Sequence, residues 1–184
     1  MRIALDAMGA DRHPAVEVEG ALQALREVPG DYELVLVGDE ARIASELAQH
    51  EGVPRDRISI VHAAQRIEPG ESPASAVRRK PDSSIVAGLT LQKEGAVDAF
   101  VSAGSTGAVM AASHFLLRPL PGVARPTVAT VLPTAADPIV MLDAGANVDS
   151  KPFHLLQFAQ LGAIYARDVL RRRYGAEALV PRQL

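Results

Sequence analysis

Short runs of branched apolar residues ending on Gly, Asp or Pro recur along this chain, and they limit its fold more than any other feature. They are Ile3 to Leu5, Leu34 to Val37, Ile58 to Val61, Ala99 to Val101, Val128 to Leu132 and Ile139 to Leu142. Continuous apolar runs of this length read as strands covered on both faces, as in a parallel sheet. Between most of them lie segments with apolar residues three and four apart. Pro14 to Val28 places Val18, Ala21, Leu22 and Leu25 on one stripe, and Glu40 to Gln49 places Ile43 and Leu47 on another. Ser72 or Pro73 opens a helix over Ala74 to Arg79. Asp82, Ser83 and Ser84 supply caps for Ile85 to Lys93, which Gly95 stops. A last long helix begins near Ser150, takes Pro152 into its first turn and runs through Leu155, Phe158, Leu161 and Tyr165. This alternation predicts an α/β fold, and the Pro- and Gly-rich stretch Arg118 to Pro126 reads as a connection between two strand–helix groups.

A chain of 184 residues with 48% hydrophobic and 22% charged residues buries a substantial core. Its net charge of −3 gives no global basic field, which argues against a nucleic-acid partner. With no cysteine there is no disulfide framework, thiolate metal site or cysteine nucleophile, so any catalysis uses oxygen and nitrogen groups. The first residues read as a strand rather than a leader, and no apolar stretch is long enough to span a bilayer. A cytoplasmic location is expected. The histidines His13, His50, His62, His114 and His154 lack ligand spacing, so no metal site is expected.

Three strand ends carry candidate chemistry. After Val97 to Val101 comes the small-residue turn Ser102-Ala103-Gly104-Ser105-Thr106-Gly107-Ala108, followed by an apolar helix. The first N–H groups of such a helix lack intrahelical partners and suit an anion, with Ser102, Ser105 and Thr106 adding hydroxyls. A tight turn with Ser105 as a simple N-cap explains the same residues equally well. The turn is neither a P-loop nor a dinucleotide fingerprint. The first strand delivers Asp6 and Asp11, and the sixth run leads into Asp143, Asn147 and Asp149. In open α/β sheets such strand ends border the ligand crevice, although Asp and Asn also favour turns for local reasons. Arg78-Arg79-Lys80 followed by Asp82-Ser83-Ser84 forms a cationic helix end before a capped helix start, open to an anion-clamp reading or a solvated-end reading. The final run Arg171-Arg172-Arg173 is open to two readings, a cationic last turn that complements the helix macrodipole or a phosphate or lipid-surface site. No Gly-x-Ser-x-Gly elbow is present.

Taken together and in this order, these motifs resemble the bacterial phosphate acyltransferase family, the acyl-acyl-carrier-protein:phosphate transacylases of phospholipid synthesis. The likeness rests on Leu5-Asp6-Ala7-Met8-Gly9 with Asp11 and Pro14, Val37-Gly38-Asp39, Arg78-Arg79-Lys80 with Asp82-Ser83-Ser84, and Lys93-Glu94-Gly95. It continues through Val101 to Ala108, Arg125-Pro126, Leu132-Pro133, Leu142 to Asp149 and Leu155 to Ala159. Ala10 stands where the family usually has a second glycine, and Ser105 where it usually has asparagine. The resemblance covers residues 1–170. Residues 171–184 read as a basic tail outside the family pattern, where the family would continue for roughly as much sequence again.

The resemblance implies a three-layer α/β/α sandwich with a mostly parallel sheet, related to phosphotransacetylases and isopropylmalate dehydrogenases. It implies a homodimer, no metal or organic cofactor, and loose association with the membrane, where a glycerol-3-phosphate acyltransferase uses the product. The implied reaction is attack of inorganic phosphate on the thioester of acyl carrier protein, without a covalent acyl-enzyme. Ser102, Gly104, Ser105, Thr106 and Gly107 are then the phosphate-binding residues, and Lys80 a nearby cation. Asn147 would help the oxyanion, and Asp6 or Asp143 would orient groups or handle protons. Arg78 and Arg79 would meet the acidic carrier protein. Two other readings stay open: an inactive fold fragment or interaction module, and a nucleotide-dependent dehydrogenase on a related fold, which lacks a full glycine fingerprint.

Overall fold

A computed structural model describes residues 1–135, 138–147 and 149–170 of the chain. Val148 and the basic tail 171–184, with Arg171 to Arg173, lie outside the described residues. The chain divides into two compact units that meet between Arg118 and Pro119, inside the stretch that reads as a connection between strand–helix groups.

The first unit is built on a fully parallel four-stranded sheet. Its strands are β1 (Arg2–Asp6), β2 (Glu33–Gly38), β3 (Ile58–His62) and β4 (Ala99–Val101), in the spatial order β3-β2-β1-β4. β1 lies between β2 and β4, with Leu5 opposite both Leu36 and Val101. Alternate residues of β2 serve opposite faces, as the strand period of two requires. Leu34 and Leu36 pack with Val18, Ala21, Leu22 and Leu25 of α1 (Ala15–Glu27) and with Ile43 and Leu47 of α2 (Glu40–Leu47). Val35 and Val37 pack with Ala4, Ala63 and Val97 on the other face, where Ala87 and Leu91 of α4 (Ser84–Lys93) join them. Helices therefore cover both sides of the sheet. Each fully buried side chain here, Leu36 for example, contributes about 1.5–3 kcal/mol of transfer free energy.

The helix ends follow local chemistry. The Asp39 carboxylate accepts the Arg42 N–H at 3.1 Å to start α2, and the Ser83 hydroxyl accepts the Val86 N–H at 3.4 Å to start α4. Gly95, at φ 72°, takes the left-handed conformation that ends α4. Two more helices, α3 (Pro73–Arg79) and α5 (Thr106–Leu116), pack with α4 around Ala76, Ile85, Leu89, Ala108 and Ala112. β3 and β4 flank the sheet, and neither is as fully covered as its apolar run predicts.

In the second unit, β5 (Thr130–Leu132) and β6 (Ile139–Met141) pair with each other, and α6 (Pro152–Asp168) packs on β6. The apolar runs alone predict two strands of a parallel sheet, buried on both faces. Instead they form an antiparallel pair with Val131, Ile139 and Met141 exposed. Connection length is the physical reason. Residues 133–138 are too few for a parallel crossover, which takes a dozen or more, but suffice for a hairpin. Among the described residues no helix is long and apolar enough to cross a membrane.

Candidate active site

The parallel register of β1 and β4 brings the ends of both strands side by side, and the chemistry of the first unit begins there. Asp6, the last residue of β1, is 1% exposed. Its Oδ1 accepts the Met8 N–H at 3.0 Å and its Oδ2 accepts the Ser102 hydroxyl at 2.7 Å. Ser102 Oγ in turn accepts the Gly104 N–H at 3.0 Å. One buried carboxylate thus fixes the loop after β1 and the turn after β4. The two segments also touch through their backbones. A Cβ on Gly9 would lie 2.7 Å from the Gly104 nitrogen and 2.9 Å from Asp6 Oδ2, so no side chain fits at this crossing.

Beyond Gly104, the Ser105 hydroxyl accepts the Ala108 N–H at 3.3 Å and caps α5. The N–H groups of Thr106 and Gly107 fall in the first turn, where no intrahelical acceptor exists. Thr106 is exposed, and Gly107 packs on Pro73 of α3 so closely that a Cβ there would sit 2.8 Å from the ring. The result is a short helix start with positive partial charge, small residues and hydroxyls, the donor set an anion takes.

Lys80, at the C-terminal end of α3, donates to Glu71 Oε1 at 2.5 Å and to the Arg66 carbonyl at 2.7 Å. An ammonium has three donors, and these contacts use two. The Lys80 hydrogen bond, helped by the Glu68 N–H, holds the Glu71 carboxyl below its usual range. Arg79 reaches the same carboxylate at 3.9 Å, whereas the Arg78 guanidinium lies over the Phe115 ring at 5.1 Å. Both arginines are exposed, as is Asp11.

Sequence reasoning missed Arg66 and Glu17. Arg66 donates from Nε to the Met8 carbonyl at 2.7 Å and from Nη2 to the Ala10 carbonyl at 3.5 Å. Glu17 is buried in α1, and its Oε1 accepts the Ala10 N–H at 2.6 Å. Its Oε2 has no hydrogen-bond partner among the described residues. No local motif announces either residue. A charged residue on the apolar stripe of α1, beside Val18, was the one available signal for Glu17.

In the second unit, Asp143 and Asn147 come together. Asp143 Oδ1 accepts from the Thr127 hydroxyl and the Val128 N–H, both at 2.8 Å. Its Oδ2 accepts the Asn147 N–H at 2.6 Å and the Asn147 amide at 3.2 Å. Burial pushes the Asp143 carboxyl up, but the hydrogen bonds from Val128, Asn147 and Thr127 outweigh it and hold the group below its ordinary value. The Asn147 amide also donates to the Pro126 carbonyl at 3.0 Å. Asp149 is exposed, and its carbonyl accepts from Arg125 at 3.3 Å.

A parallel sheet with helices on both faces and a small-residue turn opening a helix beside an aspartate strand end define an α/β protein, and its fold resembles that of phosphotransacetylases. EutD phosphotransacetylase from Staphylococcus aureus superposes with a TM-score of 0.62 at 22% identity, over 90% of this chain and 52% of that one. A branched-chain phosphotransacylase from Enterococcus faecalis V583 superposes at 0.51 and 12% identity, over 91% and 51%. By sequence the chain belongs to the family described as Fatty acid synthesis protein, which matches residues 1–175. Relatives named phosphate acyltransferase are 51% identical in Salinibacter ruber and 52% identical in Desulfitobacterium hafniense, each over 92% of this chain. The chain spans about half the length of these curated relatives, 50% in both cases.

Proposed function

We propose that this chain carries the phosphate-binding side of an acyl transfer from acyl carrier protein to inorganic phosphate. The observation that carries this reading is the junction of Asp6, Ser102 and Gly104 at the start of α5, in a chain whose relatives are named phosphate acyltransferase. Phosphate sits against the turn from Ser102 to Gly107, with the N–H groups of Thr106 and Gly107 and the Thr106 hydroxyl as donors. Asp6 does not touch the anion; it orients Ser102 and thereby Gly104. The third donor of Lys80 supplies a cationic contact. An oxygen of hydrogen phosphate attacks the thioester carbonyl, the new C–O bond forms, the C–S bond breaks, and the carrier's sulfur leaves as a thiol with the proton that the phosphate gives up. The product is an acyl-phosphate.

Asp143, already holding four donors, serves as an orienting carboxylate for the loop that bears Asn147. Within the second unit Asn147 is the candidate donor to an oxyanion, for which it would exchange one of its two amide contacts. Arg78 and Arg79, exposed on α3, meet the acidic carrier protein. This reading brings with it a homodimer and handover of the acyl-phosphate to a membrane glycerol-3-phosphate acyltransferase.

The test is the double variant Ser105→Ala/Thr106→Ala, made in this chain for phosphate titration by calorimetry and in a full-length relative for turnover. Phosphate binding should weaken about tenfold, the scale of one charge-assisted hydrogen bond. Unchanged phosphate affinity and turnover would remove the assignment.

A further inference from the structure

We propose that Arg66 and Glu17 are positioning residues that grip the loop between β1 and α1 and thereby hold the turn from Ser102 to Gly107 in its anion-binding shape. The inference rests on reading that turn as a phosphate site. At the crossing Gly9 has no side chain and Met8 and Ala10 offer only apolar ones, so the loop is held there through its peptide groups. Within the local chain, Asp6 takes the Met8 N–H and the His13 ring contacts the Ala10 carbonyl at 2.9 Å; Arg66 and Glu17 add the contacts from outside the loop. The guanidinium of Arg66 takes the carbonyls of Met8 and Ala10, and the carboxylate of Glu17 takes the N–H of Ala10. Each charge meets the end of the peptide dipole that it favours, in hydrogen bonds stronger than neutral ones. The Arg66 side chain is 19% exposed and Glu17 is 6% exposed, so water competes weakly for both.

Arg66 is itself fixed. Its Nη1 donates to Glu68 at 2.6 Å, and its carbonyl accepts from Lys80. An unbroken series of contacts therefore runs from Lys80 through Arg66 to Met8 and Ala10, and from Gly9 onto Gly104. What the loop abuts is the N–H that Ser102 accepts and the carboxylate oxygen that Ser102 binds. An outward shift of the loop lets water reach Asp6 and frees Gly104.

The test uses the 184-residue chain with Arg66→Met, which keeps the aliphatic stem and removes the donors, and separately Glu17→Met. Amide hydrogen exchange is read at Ala10, Gly104 and, as a reference inside β2, Leu36, together with phosphate titration by calorimetry. Exchange at Gly104 should rise about tenfold in either variant with Leu36 within about twofold, a local opening rather than a global one, and phosphate binding should weaken by a similar factor. Neither substituted residue touches Gly104, so a local rise there is not a lost contact. Unchanged exchange at Gly104 in both folded variants overturns the inference, as does an equal rise at Leu36. If the unaltered chain binds no phosphate, the phosphate reading fails while the exchange result still decides the grip. Should one variant not fold, the other alone decides the matter.

Discussion

Replacing Ser102 by alanine removes a single oxygen that both donates to Asp6 and accepts from Gly104, and its cost can be worked from the geometry. Asp6 is 1% exposed, so Oδ2 has no water to replace the 2.7 Å hydrogen bond that it loses. A hydrogen bond to a charged group contributes about 1.5–3 kcal/mol, and the Gly104 N–H loses a neutral bond of roughly 1 kcal/mol that water partly restores. The Met8 N–H still binds Oδ1, which limits the loss. The first unit should therefore be destabilised by about 2–3 kcal/mol. Urea titration should be followed by the backbone NMR signals of Val35 and Leu36, in the centre of the first unit's sheet, so that the readout belongs to that unit. The midpoint should fall with an unchanged slope. A change under about 0.5 kcal/mol would refute the reasoning, since it would mean that Asp6 finds another donor at no cost.

Gly9→Ala should destabilise the first unit by about 1–3 kcal/mol through overpacking, whereas Gly20→Ala, in open space on α1, should stabilise it by roughly 1 kcal/mol; thermal unfolding of both variants checks the contrast. Glu71, held below its ordinary carboxyl value chiefly by Lys80, contributes stability that is complete above its unfolded-state value near 4.5 and is lost as pH falls through the folded-state value. Glu71→Gln should flatten the acid limb of the first unit's stability curve below that pH. His154 is held below 6.5 by burial, then by Arg125 and Lys151, so the unfolded chain takes its proton first. Its contribution to the second unit is complete above about 6.5 and falls as pH drops below it, a trend that should vanish in His154→Gln when unfolding is followed at α6.

Much of the fold was legible because it is local. The stripe at Val18, Ala21, Leu22 and Leu25, the caps at Asp39 and Ser83 and the stop at Gly95 depend on neighbours within one or two turns. β5 and β6 were legible as strands but not in their partners, because apolar runs do not say what they pair with; the shortness of residues 133–138 held that answer. Of the site, Asp6 and the turn from Ser102 were visible as strand ends. Their direct hydrogen bond was not, since it follows from the β1–β4 register across 96 residues of chain. Arg66 was invisible for the same reason, lying 58 residues from Met8 with no pattern around it. Ser105 caps α5, the local role that its position at the turn allowed.

The crossing of Gly9 over Gly104 also has a meaning for the order in which this protein is made. β1 leaves the ribosome before its neighbour β4, which is nearly a hundred residues later, beyond β2 and β3. Until β4 slots in beside it, the Asp6 carboxylate has no serine to hold and the proposed phosphate site is incomplete. Non-local pairing of this kind comes late, after its loop-closure cost has been met. On the proposed phosphate reading, a nascent chain would gain phosphate affinity abruptly once the turn after β4 has emerged, and phosphate in the surrounding solution would then favour the completed sheet over its unfinished precursors.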